Sequence, residues 1–190
     1  MKNNFLNKLT LDILSVTDGV SKVKLAKIFY LTHKWLVQND LAKPDDWSYV
    51  RMPLGPVPIH FNTLKTNDLI KINTEPTSLS YNMEVYYLMP GVNVGLSDKK
   101  TKETISLLAK FSTSDLVNYT HSDPSWLKYG NGSEYVMSEL DIKRKLPVMN
   151  NISTYNAVED NQTLQSQLIE GMIDDIVEVS TALEYPKVNN

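Results

Sequence analysis

The stretch RMPLGPVPIHFNTLK, Arg51 to Lys65, places three prolines and a glycine between positions 53 and 58. Proline fixes φ at about −65° and keeps the residue before it out of the helical region, so Met52, Gly55 and Val57 must be extended or in turns. Gly55 can also adopt backbone angles closed to other residues. Pro58 stands where a first helical residue belongs, since its missing N–H costs nothing there. It predicts a short helix to about Thr66, with Ile59 and either Phe61 or Leu64 turned inward. The stretch reads as a rigid elbow that aims a helix, and the rest of the chain has to be arranged around it.

Upstream, Phe5, Leu6, Leu9, Ile13 and Val16 recur at helical spacing and predict a first helix over about Asn4 to Val16, broken by Asp18-Gly19. Ser21 is the expected N-cap of a second helix, ending near Asn39-Asp40. Its Leu25, Ile28, Phe29, Leu31, Trp35 and Leu36 cover too wide an arc for a surface helix, which makes it the central helix of the core. Downstream, LIKIN (Leu69 to Asn73) and MEVYYLM (Met83 to Met89) predict two strands of a hairpin. Ser97 is the expected cap of a helix over about Lys99 to Phe111, and Ser114 or Thr113 that of the next. HSDPSWLKYGNGSEY, with Pro124 and Trp126, reads as a loop. The expected fold class is mainly α (α+β): a compact helical domain over residues 1–150 with a small β-hairpin, followed by a linker and an additional C-terminal helix over 151–190.

Composition removes several kinds of chemistry. With 42% hydrophobic and 22% charged residues and no apolar run near the ~20 needed to span a bilayer, no membrane role is expected. The first residues alternate polar and apolar without the continuous core of a signal peptide, which predicts a cytoplasmic protein. Cysteine is absent, which excludes disulfides, thiolate metal sites and a cysteine nucleophile. The three histidines, His33, His60 and His121, have no metal-ligand spacing, and Gly130-Asn131-Gly132 lacks the strand and the Lys-Ser/Thr of a phosphate loop. No nucleophile elbow or placed carboxylate pair supports a hydrolase. Neither a metal nor a cofactor is expected, and no enzyme activity.

Charge is unevenly distributed. Residues 1–150 carry 18 Lys or Arg against 15 Asp or Glu, whereas residues 151–190 carry Lys187 alone against seven acids. In that tail Leu164, Leu168, Met172 and Ile176 recur at helical spacing, with Glu170, Asp174, Asp175 and Glu178 elsewhere on the wheel. Such a stripe packs on its own core, enters a partner's groove or pairs with a second copy of the chain. Helices followed by a hairpin also describe a winged helix. A groove-reading helix over 58–66 would offer only Lys65, and the hairpin sets Lys71 against Glu75 and Glu84, too little positive charge for a DNA footprint.

Three segments together resemble the Panacea domain, the SocA-like antitoxin family of bacteria and their mobile elements. KLAKIFYLTHKWL, Lys24 to Leu36, is similar to the family's opening helix; GPVPIHFNTLK, Gly55 to Lys65, to its Gly-Pro-Val element; and LVNYTHSDPSWLK, Leu116 to Lys128, to its closing His-Pro-Trp element. The likeness covers roughly residues 5–145. It implies a non-enzymatic antitoxin that binds and neutralises a cognate toxin encoded nearby, by direct block or by delivery to a protease. The residues carried over are Lys27, Tyr30, Gly55, Pro56, Val57, Pro58, Phe61, His121 and Trp126, acting as keepers of the fold or as toxin contacts. Leu164, Leu168, Met172 and Ile176 form a separate candidate interaction stripe. A DNA-binding regulator of the same element is the alternative from a different class.

Overall fold

In the computed structural model, residues 2–76, 82–93 and 98–148 are described. α2 (Lys22–Gln38) is the axis of the molecule, with every residue from Leu25 to Lys34 buried. Its N-terminus is capped as expected: Ser21 accepts a hydrogen bond from the Lys24 N–H, filling one of the orphan donors of the first turn. Asp40, in the left-handed region at φ 57°, turns the chain away at the other end. α1 (Lys2–Ser15) lays Leu6, Leu9, Ile13 and Leu14 into the same core.

The predicted hairpin is present as β4 (Ile70–Pro76) and β5 (Asn82–Leu88), in register from Ile70 opposite Leu88 to Pro76 opposite Asn82. A two-residue strand, β1 (Val20–Ser21), joins the other edge of β5 and completes a three-stranded antiparallel sheet.

The elbow differs from the sequence expectation. It is a second hairpin, β2 (Tyr49–Met52) and β3 (Gly55–Pro58), with β6 (Glu134–Tyr135) on the far side of β2. Pro58 therefore ends a strand opposite Tyr49 and does not start a helix. The reason lies in the alternation of antiparallel pairing. Ile59 donates its N–H to the Ser48 carbonyl at 3.1 Å, so Val57 and Gly55, two and four residues back, take the bonded positions. Pro56 and Pro58 fall at the intervening positions of an edge strand, where no N–H is required. The helical segment begins only at Phe61, as a 3-10 turn through Thr66 entered by His60 at φ 58°, and Phe61 and Leu64 are both buried.

α3 (Lys99–Leu108) is capped by Asp98, whose carboxylate accepts from the Lys100 and Thr101 N–H groups, one residue after the expected Ser97. α4 (Thr113–His121) is capped by Ser112, just before the predicted candidates. The expected loop over 121–135 contains α5 (Pro124–Lys128) and then β6, and α6 (Glu139–Lys143) follows. Among the described residues the fold is thus a mixed α+β one and not mainly α: 49% helical and 19% strand, in two small antiparallel sheets. The linker and C-terminal helix expected over 151–190 lie outside the described residues.

Candidate functional site

α2 carries polar side chains inside the protein, and the elbow sits against them. Lys27 is buried along its whole length and donates from Nζ to the Pro56 carbonyl at 2.7 Å. Burial pushes its amine well below the ordinary lysine value. Above it Gly55, at φ 90°, brings bare backbone so close that an added Cβ would lie 2.6 Å from Thr120 Oγ1 and 3.0 Å from Lys27 Cε. Only glycine satisfies both the angle and the approach.

The hairpin is clamped from its other side by α5. Trp126 Nε1–H donates to the Met52 carbonyl at 3.2 Å, and the Arg51 guanidinium lies 4.2 Å from the centroid of the indole ring. His121 stacks on the same indole, with centroids 4.0 Å apart and planes 13° from parallel. Burial, then the neighbouring Lys27 and Arg51 charges, push His121 down to about 4, against the opposing effect of a hydrogen bond to the Pro53 carbonyl.

One and two helical turns farther along α2, Tyr30 and Lys34 reach a carboxylate that is fully buried. Asp123 accepts from Tyr30 Oη at 2.8 Å, from Lys34 Nζ at 3.2 Å and from the Arg144 guanidinium. Burial pushes Asp123 up and Lys34 down, and their mutual attraction resists both shifts. Arg144 also covers the Tyr119 ring at 4.5 Å, and Tyr119 Oη donates to the Lys145 carbonyl. Next to this, Asp141 accepts from the N–H and hydroxyl groups of both Ser125 and Ser138, joining α5 to α6.

Beside Tyr30 on α2, whose ring lies 4.9 Å from that of Tyr49, His33 donates from Nε2–H to the Lys43 carbonyl at 2.9 Å, so its Nδ1 is free to accept from the Tyr49 hydroxyl at 2.7 Å. Burial pushes this histidine down to about 4.

The fold therefore gathers most of the residues singled out in the sequence. Lys27, Tyr30, Gly55, Pro56, His121 and Trp126 belong to one continuous seam between α2, the β2–β3 hairpin and the α4–α5 corner. Val57 and Pro58 are the rest of β3, Val57 half-buried against the core and Pro58 buried. Phe61 is not part of the seam; its ring packs 6.2 Å from Tyr86 of the other sheet. Leu164, Leu168, Met172 and Ile176 are outside the described residues.

Sequence reasoning passed over the seam's other members, Arg51, Thr120, Asp123, Asp141 and Arg144. Two had local signals. Asp123 precedes a proline at the first position of a helix, and Ser138-x-x-Asp141 is a reciprocal cap. Arg51, Thr120 and Arg144 had none.

Chemically, the seam is a cross-link. Its amine, imidazole and carboxylate are used on the protein's own backbone and side chains, and its exposed products are the tip of the hairpin, where Met52 is 42% accessible, and Leu127 of α5, 65% accessible. Near the 3-10 turn, Lys65 pairs with Glu84, and Lys22 lies 3.4 Å from the same carboxylate, which they hold below the usual range. Among the described residues no group of three His, Asp or Glu side chains could hold a metal ion, and no helix is long and apolar enough to cross a membrane. Compared with protein-family models, curated proteins and solved structures, the chain matches none.

Proposed function

We propose that this chain is an antitoxin that neutralises a cognate toxin by protein–protein binding, with the apolar surface around the β2–β3 tip and α5 as its contact. The observation that carries the reading is the meeting of three segments remote in sequence, those that resemble the Panacea domain, in a single buried seam. Such a seam spends its polar groups on holding Met52 and Leu127 in place at the surface. In this reading the motif residues set stability, and specificity belongs to the exposed side chains around them.

Expression of the neighbouring gene's product in a bacterial host, alone and together with this protein, tests the proposal by colony survival. Rescue by the wild-type chain, with loss of rescue by a soluble, folded Met52→Glu/Leu127→Glu variant, is the expected result. Toxin that persists at its normal level in rescued cells indicates direct block; toxin that disappears indicates delivery to a protease. Killing that is equal with and without this protein overturns the antitoxin reading for that pair. Retention on DNA that declines steeply with salt would then identify the regulator of the same element.

A further inference from the structure

Among the described residues the two sheets end in four outer strands, and one of these leaves a long open edge. β1 and β6 are two residues each, and the outer edge of β3 lies on α2, where Lys27 takes the Pro56 carbonyl. β4 is seven residues long and pairs only with β5 among the described residues. Its outward groups follow from the register. Met89 donates to the Leu69 carbonyl at 2.9 Å, so Lys71, Asn73 and Glu75 bond to β5, whereas Ile70, Ile72 and Thr74 point their N–H and C=O groups away from it. The Ile70 N–H is taken by the Asn67 carbonyl at 3.0 Å. Those of Ile72 and Thr74 have no acceptor among the described residues.

Such an edge is a template for another strand, and proteins blunt it with lysine or proline. β4 has both, Lys71 and Pro76, and both fit one particular occupant. A two-fold axis at Asn73 lays β4 antiparallel to the β4 of a second copy. Ile72 then faces Thr74 of the copy in two bonded pairs, and all four outward N–H groups find carbonyls. Lys71 stands opposite Glu75 of the copy, twice, in the closely spaced non-bonded positions. Lys71 is exposed with no ion-pair partner among the described residues, and Glu75 gives Oε1 to the Tyr87 hydroxyl and leaves Oε2 for the lysine. Pro76 meets Ile70, whose N–H is already committed, so the ladder stops at each end where donors stop. Sliding the copies by two residues in either direction keeps backbone bonding but separates Lys71 from Glu75, so charge selects this register.

We propose that β4 is the interface of a transient homodimer, paired in this register with β4 of a second copy to make one six-stranded sheet. A foreign strand has no reason to repeat the symmetry of Lys71 and Glu75 about Asn73, whereas a second copy supplies it by construction. This inference is independent of the antitoxin reading, and its test contains no toxin.

Sedimentation equilibrium of the full chain from about 10 µM to about 1 mM covers the range in which a contact of this size associates. The expected result is a passage from monomer to dimer and no further, because a two-fold interface closes. Lys71→Glu sets like charges opposite each other twice and raises the dissociation constant about tenfold, and Lys71→Glu/Glu75→Lys restores it. Thr74→Pro removes two of the backbone bonds and leaves a monomer. Because the chain lacks cysteine, Asn73→Cys traps the dimer: its Cα atoms lie about 4.5 Å apart across the axis, within disulfide reach. An exposed Lys110→Cys thiol on α3 serves as the control for random collision. Melting temperatures taken at low concentration show that loss of the dimer is not loss of fold. A dissociation constant unmoved by Lys71→Glu overturns the proposal, as does a folded double exchange that stays weak, or Asn73→Cys bridging no faster than Lys110→Cys. A wild-type chain that is monomeric throughout also overturns it, the edge then being covered from within the chain or by another protein.

Discussion

β4–β5 pairs seven residues on each strand and leaves much of its surface to solvent, whereas β2–β3 pairs four, contains two prolines in its second strand and is buried over most of its length. The long hairpin is held by its own ladder and by side-chain contacts between its two strands, such as the Tyr87 hydroxyl of β5 donating to Glu75 of β4 at 2.6 Å. The short one is held by side chains brought from elsewhere: Lys27 on the Pro56 carbonyl, Trp126 on the Met52 carbonyl, His33 on the Tyr49 hydroxyl. Backbone pairing can be local, but a backbone carbonyl that accepts from a distant side chain ties the hairpin's geometry to the whole fold. Perturbing the donors should therefore damage β2–β3 far more than matching changes damage β4–β5.

Trp126→Ala gives the largest expected effect. It removes the donor to Met52, the ring under Arg51 and the stacking partner of His121, and truncation of a buried tryptophan costs about 3–5 kcal/mol. Urea denaturation measures it; a cost below about 1 kcal/mol would break the contrast between the hairpins.

Acid attacks the same hairpin through His33. With its pKa near 4 in the folded protein and near 6.5 unfolded, the unfolded chain binds more protons between those values, so stability is fully present above about pH 6.5 and is lost as pH falls toward 4. The loss attributable to this buried ring is roughly 3 kcal/mol. Protonation also takes away the acceptor for Tyr49. Melting curves from pH 7 to pH 4 should fall less steeply for His33→Gln than for the wild type, and an NMR titration that places His33 near 6.5 would refute the account.

Gly55→Ala and Lys27→Met come next, at about 1–3 kcal/mol each. The first forces a side chain into a positive φ and into Thr120; the second keeps the alkyl packing but leaves the Pro56 carbonyl without its donor. Because Lys27 and Gly55 touch, their double mutant should cost less than the sum, which a mutant cycle reads directly. At the small end, Glu84→Gln on β5 weakens exposed pairs with Lys65 and Lys22 and should cost less than about 1 kcal/mol, sharpening the contrast if it does.

The same contrast explains how much was legible beforehand. β4–β5 announces itself through β-branched and aromatic residues between turn formers, and α2 through its apolar breadth and Ser21. β2–β3 has no such pattern. Its prolines fix extended backbone, as expected, but whether Pro58 opens a helix or closes a strand depends on Ser48 and Tyr49 lying opposite, which is a tertiary fact. Of the candidate site, the family-like segments supplied Lys27, Tyr30, Gly55, His121 and Trp126. Arg144 was hidden, and Asp123 showed only as the residue before a helix-opening proline, because a buried charge is recognised by its partners, and these come from α2, 89 and more residues away from Asp123, and from the far side of α6.

Those separations bear on how the protein reaches its structure. Tyr30 and Lys34 wait for a carboxylate 93 and 89 residues later, and Gln38 donates to the carbonyls of Ile142 and Arg144, 104 and 106 residues on. During synthesis, at about 5–20 residues per second, α2 is finished several seconds before its last partners exist. Throughout that interval Tyr30 and Lys34 of the central helix lack the carboxylate they are buried against, whereas Lys27 already has its Pro56 carbonyl, so completion of the core is deferred to the emergence of residue 144.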